Sequence, residues 1–163
     1  MMVLALRKGV DRCLKYLLIV DASVIIAALL RDSTTRKVLL NSDLRLVAPG
    51  MVEDEISRHI EELSARNSLP VETNRRALGM LLRHIRLLDL DDYGGFLPDA
   101  LRLIGERDAS DAPYLAAALA VKADGIWSHD ADFTVQDRFR VWTTAQLREL
   151  LFGGKVEPST LPP

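Results

Sequence analysis

The chain has one cysteine, Cys13, and so can form no internal disulfide. That usage fits a reducing compartment, and the location expected is cytoplasmic. Cys13 has no His or Cys companion at metal-ligand spacing and reads as a passive residue. The three histidines, His59, His84 and His129, show no zinc spacing either. No glycine-rich phosphate loop or G-x-S-x-G elbow is present, which argues against a P-loop enzyme and a serine hydrolase. No uninterrupted apolar run reaches the ~20 residues that span a bilayer. The stretch from Tyr16 to Leu30 follows Arg7, Lys8, Arg12 and Lys15, as a signal or anchor would, but Asp21 interrupts it. A buried strand, a functional Asp and a helix are the better reading, with no membrane partner. Excess positive charge is also missing: 21 Lys and Arg face 23 Asp and Glu, for a net charge of −2. Duplex nucleic acid is not held by a global charge of that sign. RNA stays open, because an acidic cluster lowers the net charge while arginines elsewhere hold phosphates. The 16 arginines outnumber the five lysines, and Arg is the better bidentate phosphate binder. A merely solvated Arg-rich surface is the competing reading.

What is present is a regular alternation of strand and helix signals. With 163 residues, 48% hydrophobic and 27% charged, the chain reads as one globular domain. Residues 1–15 form an N-terminal extension, 16–152 the domain, and 153–163 a tail rich in Pro and polar residues that reads as disordered. Strands are expected at Leu17–Val20, Arg45–Ala48, Ile85–Leu88, Ile126–Trp127 and Arg140–Trp142. Helices are expected at Ser23–Leu30 with Ser23 as cap, and at Thr34–Leu40 after the start signal Asp32-Ser33-Thr34. Further helices are expected at Met51–Ser64, from Pro70 to His84, at Leu97–Arg107 and at Ala112–Val121, with a last one capped by Thr144 and ending at Gly153-Gly154. Asp89–Gly95 reads as a loop, and Asp108–Asp111 as a loop and cap. The fold class that follows is α/β with a parallel sheet.

Acids recur where these strands end or where their following helices start. Asp21 closes Leu17-Leu18-Ile19-Val20, and an Asp there must be capped, paired or bound to metal. Metal is favoured over a helix cap because other acids occupy equivalent places. Glu55 sits in Glu53-Asp54-Glu55, on the helix after the second strand. A charged helix face is the competing reading, and Glu53 and Asp54 compete with Glu55 for the role. Glu55 is preferred because Ile56 beside it should face the core. Of Asp108 and Asp111, one is expected to be a plain cap. Asp111 directly precedes the apolar helix and is the better candidate. Asp130 and Asp132 follow the fourth strand, where an Asx turn is the alternative, with Asp130 the closer ligand. Strand C-terminal ends in an open parallel sheet share one edge, where ligands bind. Acids gathered there repel one another unless a cation neutralises them, and an all-oxygen set suits Mg²⁺ or Mn²⁺. The chemistry this suggests is metal-assisted phosphodiester hydrolysis.

Three stretches carry a resemblance: LLIVDASVIIAALL, VAPGMVEDEISRHI and RDASDAPYLAAALAVKADGIWSHDADF. In that order they resemble the PIN-domain ribonucleases over about residues 17–142. The last stretch is the most specific. The resemblance implies a three-layer α/β/α sandwich with a small central parallel sheet of order 3-2-1-4-5. It implies Asp21, Glu55, Asp111 and Asp130 as catalytic acids, with Asp21, Asp111, Asp130 and Asp132 around Mg²⁺ or Mn²⁺. Ser23 matches the hydroxyl two residues after the first Asp, and Ser128 the hydroxyl before the fourth acid; both are candidates for positioning substrate. The helical pair between Met51 and His84 resembles the clip of PIN toxins, which implies a homodimer and a substrate groove.

The activity expected is a metal-dependent endoribonuclease acting on single-stranded or structured RNA, leaving a 5′-phosphate and a 3′-hydroxyl. Arg31, Arg36 and Lys37, after the first active-site helix, are candidates for holding flanking phosphates. The resemblance admits the toxin of a toxin–antitoxin pair, silenced by a small antitoxin that buries the acidic site. It also admits a catalytically silent module that binds RNA or a partner. A phosphatase or DNA nuclease is the weaker third reading.

Overall fold

The computed structural model describes residues 15–105 and 108–153. Residues 1–14 of the N-terminal extension, Cys13 among them, lie outside that description. So do Glu106 and Arg107, where one helix was expected to end, and the tail beyond Gly153.

Five parallel strands form one sheet, β1 (Tyr16–Val20), β2 (Leu44–Pro49), β3 (Ile85–Leu88), β4 (Gly125–Trp127) and β5 (Val141–Trp142), in the order β3-β2-β1-β4-β5. The helices are α1 (Ala22–Leu29), α2 (Ser33–Leu39), α3 (Met51–Arg58), α4 (Ile60–Asn67), α5 (Val71–Leu82), α6 (Leu90–Tyr93), α7 (Leu97–Ile104), α8 (Ala112–Val121) and α9 (Thr144–Phe152). They cover both faces, giving the three-layer α/β/α sandwich. The central strand β1 is apolar because both of its faces are covered, and Leu18, Ile19 and Val20 are fully buried. Helix α8 packs on β1 and β2, and α6 and α7 pack on α8. Its alanines Ala116, Ala117 and Ala118 have no exposed surface, so the helix sits close to the sheet. No helix among the described residues is long and apolar enough to cross a membrane.

Local chemistry sets several boundaries differently from the sequence reading. Asp21, not Ser23, caps α1, and Ser23 lies inside the helix. Thr143, not Thr144, caps α9, in a capping box with Gln146. The helix expected over Met51–Ser64 is two helices with a break at His59. The apolar spacing Val52, Ile56, Ile60, Leu63 suits one helix equally well, so packing decides: α3 rests on α1 and α4 on α5. Asp89–Gly95 is not a loop. It holds α6 and a 3-10 turn, because Asp92 accepts the Asp89 N–H and Tyr93 is buried. Helix α7 stops at Ile104, where Gly105 takes φ +70°, a left-handed value that favours glycine. Gly125 answers a different need. A Cβ there would lie 2.7 Å from both the Arg140 carbonyl and Trp142 Nε1, so only glycine lets β4 approach β5 this closely.

A buried amide network ties the α4–α5 hairpin to the domain. Asn74, 1% exposed, donates to Ser64 Oγ at 2.8 Å and accepts from Asn67 Nδ2 at 2.8 Å. Asn67 in turn donates to the Leu29 carbonyl at the end of α1, at 3.4 Å. Removing Asn74 takes a partner from Ser64 Oγ and two hydrogen bonds from Asn67, both half-buried. Asn74→Ala is expected to lower stability by about 2 kcal/mol. Urea denaturation checks this, and an unchanged midpoint would contradict it.

Candidate active site

Strands β1 and β4 are neighbours, so the residues that follow them meet at the carboxyl edge of the sheet. Asp21 is 6% exposed there. Its Oδ2 accepts from Ser23 Oγ at 2.6 Å and from Ser128 Oγ at 2.9 Å. Each hydroxyl also accepts a backbone N–H from the segment after β4: Ser23 Oγ from His129 at 3.1 Å, Ser128 Oγ from Asp130 at 2.9 Å. With its acceptor side used in this way, each serine turns its single proton toward Asp21. The pair therefore locks the exit of β1 to the exit of β4.

The segment carrying Asp130 and Asp132 is held from beneath. Buried Gln136 donates to the carbonyls of Phe133 and Phe139, both at 2.9 Å, and accepts the Phe139 N–H at 2.8 Å. Asp130 Oδ1 accepts the Asp132 N–H at 2.9 Å, which makes it the cap of the 3-10 turn Ala131–Val135. His129 Nε2 lies 2.7 Å from Thr144 Oγ1, which also accepts from Trp127 Nε1 at 3.0 Å. Thr144 thus braces the end of β4 instead of capping α9.

Asp111 is 8% exposed at the start of α8. Burial first, then the negative charges of Asp108, Asp21, Asp130 and Asp132, push its carboxyl up to about 7. The structure therefore brings together Asp21, Asp111, Asp130 and Asp132, and adds Asp108. Carboxylate oxygens of Asp108, Asp111 and Asp132 all lie within 4.8 Å of one another, close enough to share one cation. Asp21 and Asp130 are not in this trio; Asp21 Oδ2 is engaged by Ser23 and Ser128, and Asp130 Oδ1 by the Asp132 N–H. Asp108 also caps its own turn, accepting from Ser110 N at 2.9 Å. These two tasks are compatible because a carboxylate has several lone pairs.

In the run Glu53-Asp54-Glu55, Glu53 and Asp54 are exposed and Glu55 is half-buried. Tyr114, 1% exposed on α8, donates its hydroxyl to Glu55 Oε2 at 2.8 Å. Burial and then the Glu55 hydrogen bond raise the phenol further above its usual range, so it stays a donor. Sequence reasoning passed over Tyr114, and of Asp108 and Asp111 it expected one to be a plain cap and preferred Asp111. Two signals were available: a Tyr inside a buried Ala-rich helix needs a hydroxyl partner, and Asp108 and Asp111 lie three residues apart across a single turn. Of the basic candidates, Arg31 and Lys37 are exposed, while Arg36 Nε donates to the Ala28 carbonyl at 2.6 Å. Arg31 follows α1, whose eight residues rise roughly 12 Å from Asp21.

The raised Asp111 carboxyl has a stability consequence. An acid whose folded pKa lies above its unfolded value costs nothing below about 4 and its full penalty above about 7. In EDTA the protein is expected to melt lower at pH 8 than at pH 5. Asp111→Asn should remove much of that difference, on the order of 2 kcal/mol. Thermal melts at the two pH values measure it, and an undiminished pH dependence in the variant would contradict the assignment.

A family model described as PIN domain matches residues 19–151. No curated protein matches the chain.

Proposed function

The chain belongs to the PIN-domain family, whose members are generally nucleases that bind RNA and use divalent metals, and from that premise we propose that it is a metal-dependent endoribonuclease. The observation that carries the reading is the crowding of Asp21, Asp108, Asp111, Asp130 and Asp132 with no ion pair among the described residues to balance them. The ion pairs found there, His59–Glu62, Arg75–Glu72 and Arg102–Asp99, lie elsewhere. A donor set made only of carboxylate oxygens, one of them raised toward neutrality by burial and by the rest, fits Mg²⁺ or Mn²⁺. When bound, the metal neutralises this charge, acidifies water and stabilises charge developing at phosphorus.

The chain's own residues supply the placement. Asp108, Asp111 and Asp132 offer the closest oxygens, and Asp21, Asp130 and Glu55 complete the acidic shell. Ser23 and Ser128 hold Asp21 in one orientation, and Tyr114 does the same for Glu55. Water adds to phosphorus as the bond to the 3′ oxygen breaks, and that oxygen takes a proton, leaving a 5′-phosphate and a 3′-hydroxyl. Arg31, Arg36 and Lys37 would hold flanking phosphates. The proposal extends to a cytoplasmic homodimer and to a toxin whose small antitoxin sets a basic side chain into the acidic site; the unbalanced carboxylates are complementary to such a group.

An end-labelled pool of single-stranded RNA tests the activity with Mn²⁺, with EDTA, and with Asp21→Asn plus Mn²⁺. Cleavage is expected only for the wild type with metal, and Asp21→Asn should lose at least about 100-fold. A fully active Asp21→Asn would sink the assignment. Tyr114→Phe keeps the ring but frees Glu55, and should cost roughly tenfold in cleavage rate. Wild-type rates from Tyr114→Phe would remove that tyrosine from the mechanism.

A further inference from the structure

Toward the amino ends of β2 and β3 lies a cleft of about 630 Å³. The register places Leu17 beside Arg45 and Val47 beside Arg86, so all four point to the face on which α8 packs. The last turn of α8, at Ala120 and Val121, closes one side. Arg83 and His84, leading into β3, complete the lining with Arg45 and Arg86. These four basic residues are exposed, and none forms an ion pair among the described residues. The one acid in the lining, Asp92, is engaged by the Asp89 N–H.

Three guanidiniums on one concave wall repel each other and are best satisfied by an anion that takes planar, paired hydrogen bonds. Between them half-buried Leu17 is the partly accessible apolar side chain, and Val47 and Leu88 lie buried beneath. Exposed arginines spaced along one cleft match the chemistry of a nucleic-acid strand, which offers a row of phosphates. Arg45 lies four residues before the end of β2, roughly 13 Å along the strand from the acidic edge. We propose that this cleft binds phosphates of single-stranded RNA away from the acidic edge, as a second contact on the strand. The inference rests on the RNA-substrate reading but not on cleavage. An acidic protein segment would meet the same cations, and the test below separates the two.

The test measures binding of a labelled single-stranded RNA by fluorescence anisotropy in EDTA, so that no cleavage intervenes. Arg45→Ala/Arg86→Ala is compared with wild type and with Arg102→Ala/Arg148→Ala, which removes equal charge outside the cleft. The cleft variant should bind at least about tenfold more weakly, with a salt dependence shallower by about 1.4 in log–log slope for two lost phosphate contacts. The control variant should change less than about threefold, and melts of all three proteins confirm folding. No measurable binding by wild type, equal binding by the cleft variant, or equal weakening by the control would each overturn the proposal. So would cleft-dependent binding of poly-glutamate without binding of RNA, which would assign the surface to an acidic protein. Loss of cleavage in the RNA pool with cleft-dependent binding intact would instead defeat the nuclease reading alone.

Discussion

Carboxylates at the carboxyl ends of β1 and β4 repel one another, and the parts around them hold them in place against that repulsion. Ser23 and Ser128 each accept a backbone N–H from the β4 exit and donate a hydrogen bond to Asp21. Gln136 pins the loop that carries Asp130 and Asp132. Asp108 and Asp130 spend part of their hydrogen-bonding capacity as caps. What remains unbalanced is concentrated on Asp111, the acid with the least access to water among those at the start of α8, and its carboxyl rises to about 7 as a result. An arrangement that costs folding energy in the absence of a cation is one that a cation stabilises.

The small net charge of −2 conceals a separation of charge along the sheet. Acids collect at the carboxyl edge, and Arg45, Arg83 and Arg86 collect near the amino ends of β2 and β3. Composition averages these two regions to nearly nothing. A polyanion sees them separately, because screening at physiological salt confines each field to about 8 Å.

Legibility in the sequence followed the range of the interaction concerned. The five strands and most helices were readable because each depends on a local run of apolar residues or on a nearby cap. The sandwich and its 3-2-1-4-5 order came through resemblance. Errors fell where two local choices were nearly equal: Asp21 against Ser23, Thr143 against Thr144, one helix against two around His59. In each case a contact from elsewhere in the chain tipped the balance. Ser23 is drawn to His129 and Thr144 to Trp127, both more than a dozen residues away.

The sequence by itself determined the alternation of elements, the buried central strand and the placement of acids at strand ends, since these are properties of short segments and their periodicity. Only the tertiary structure decided which oxygens lie within reach of one another. It brought Asp108 beside Asp111 and Asp132, and Tyr114 to Glu55, and it gathered arginines from β2 and β3 into one cleft. Those are matters of a few ångströms between segments distant in the chain, and they depend on how the layers pack.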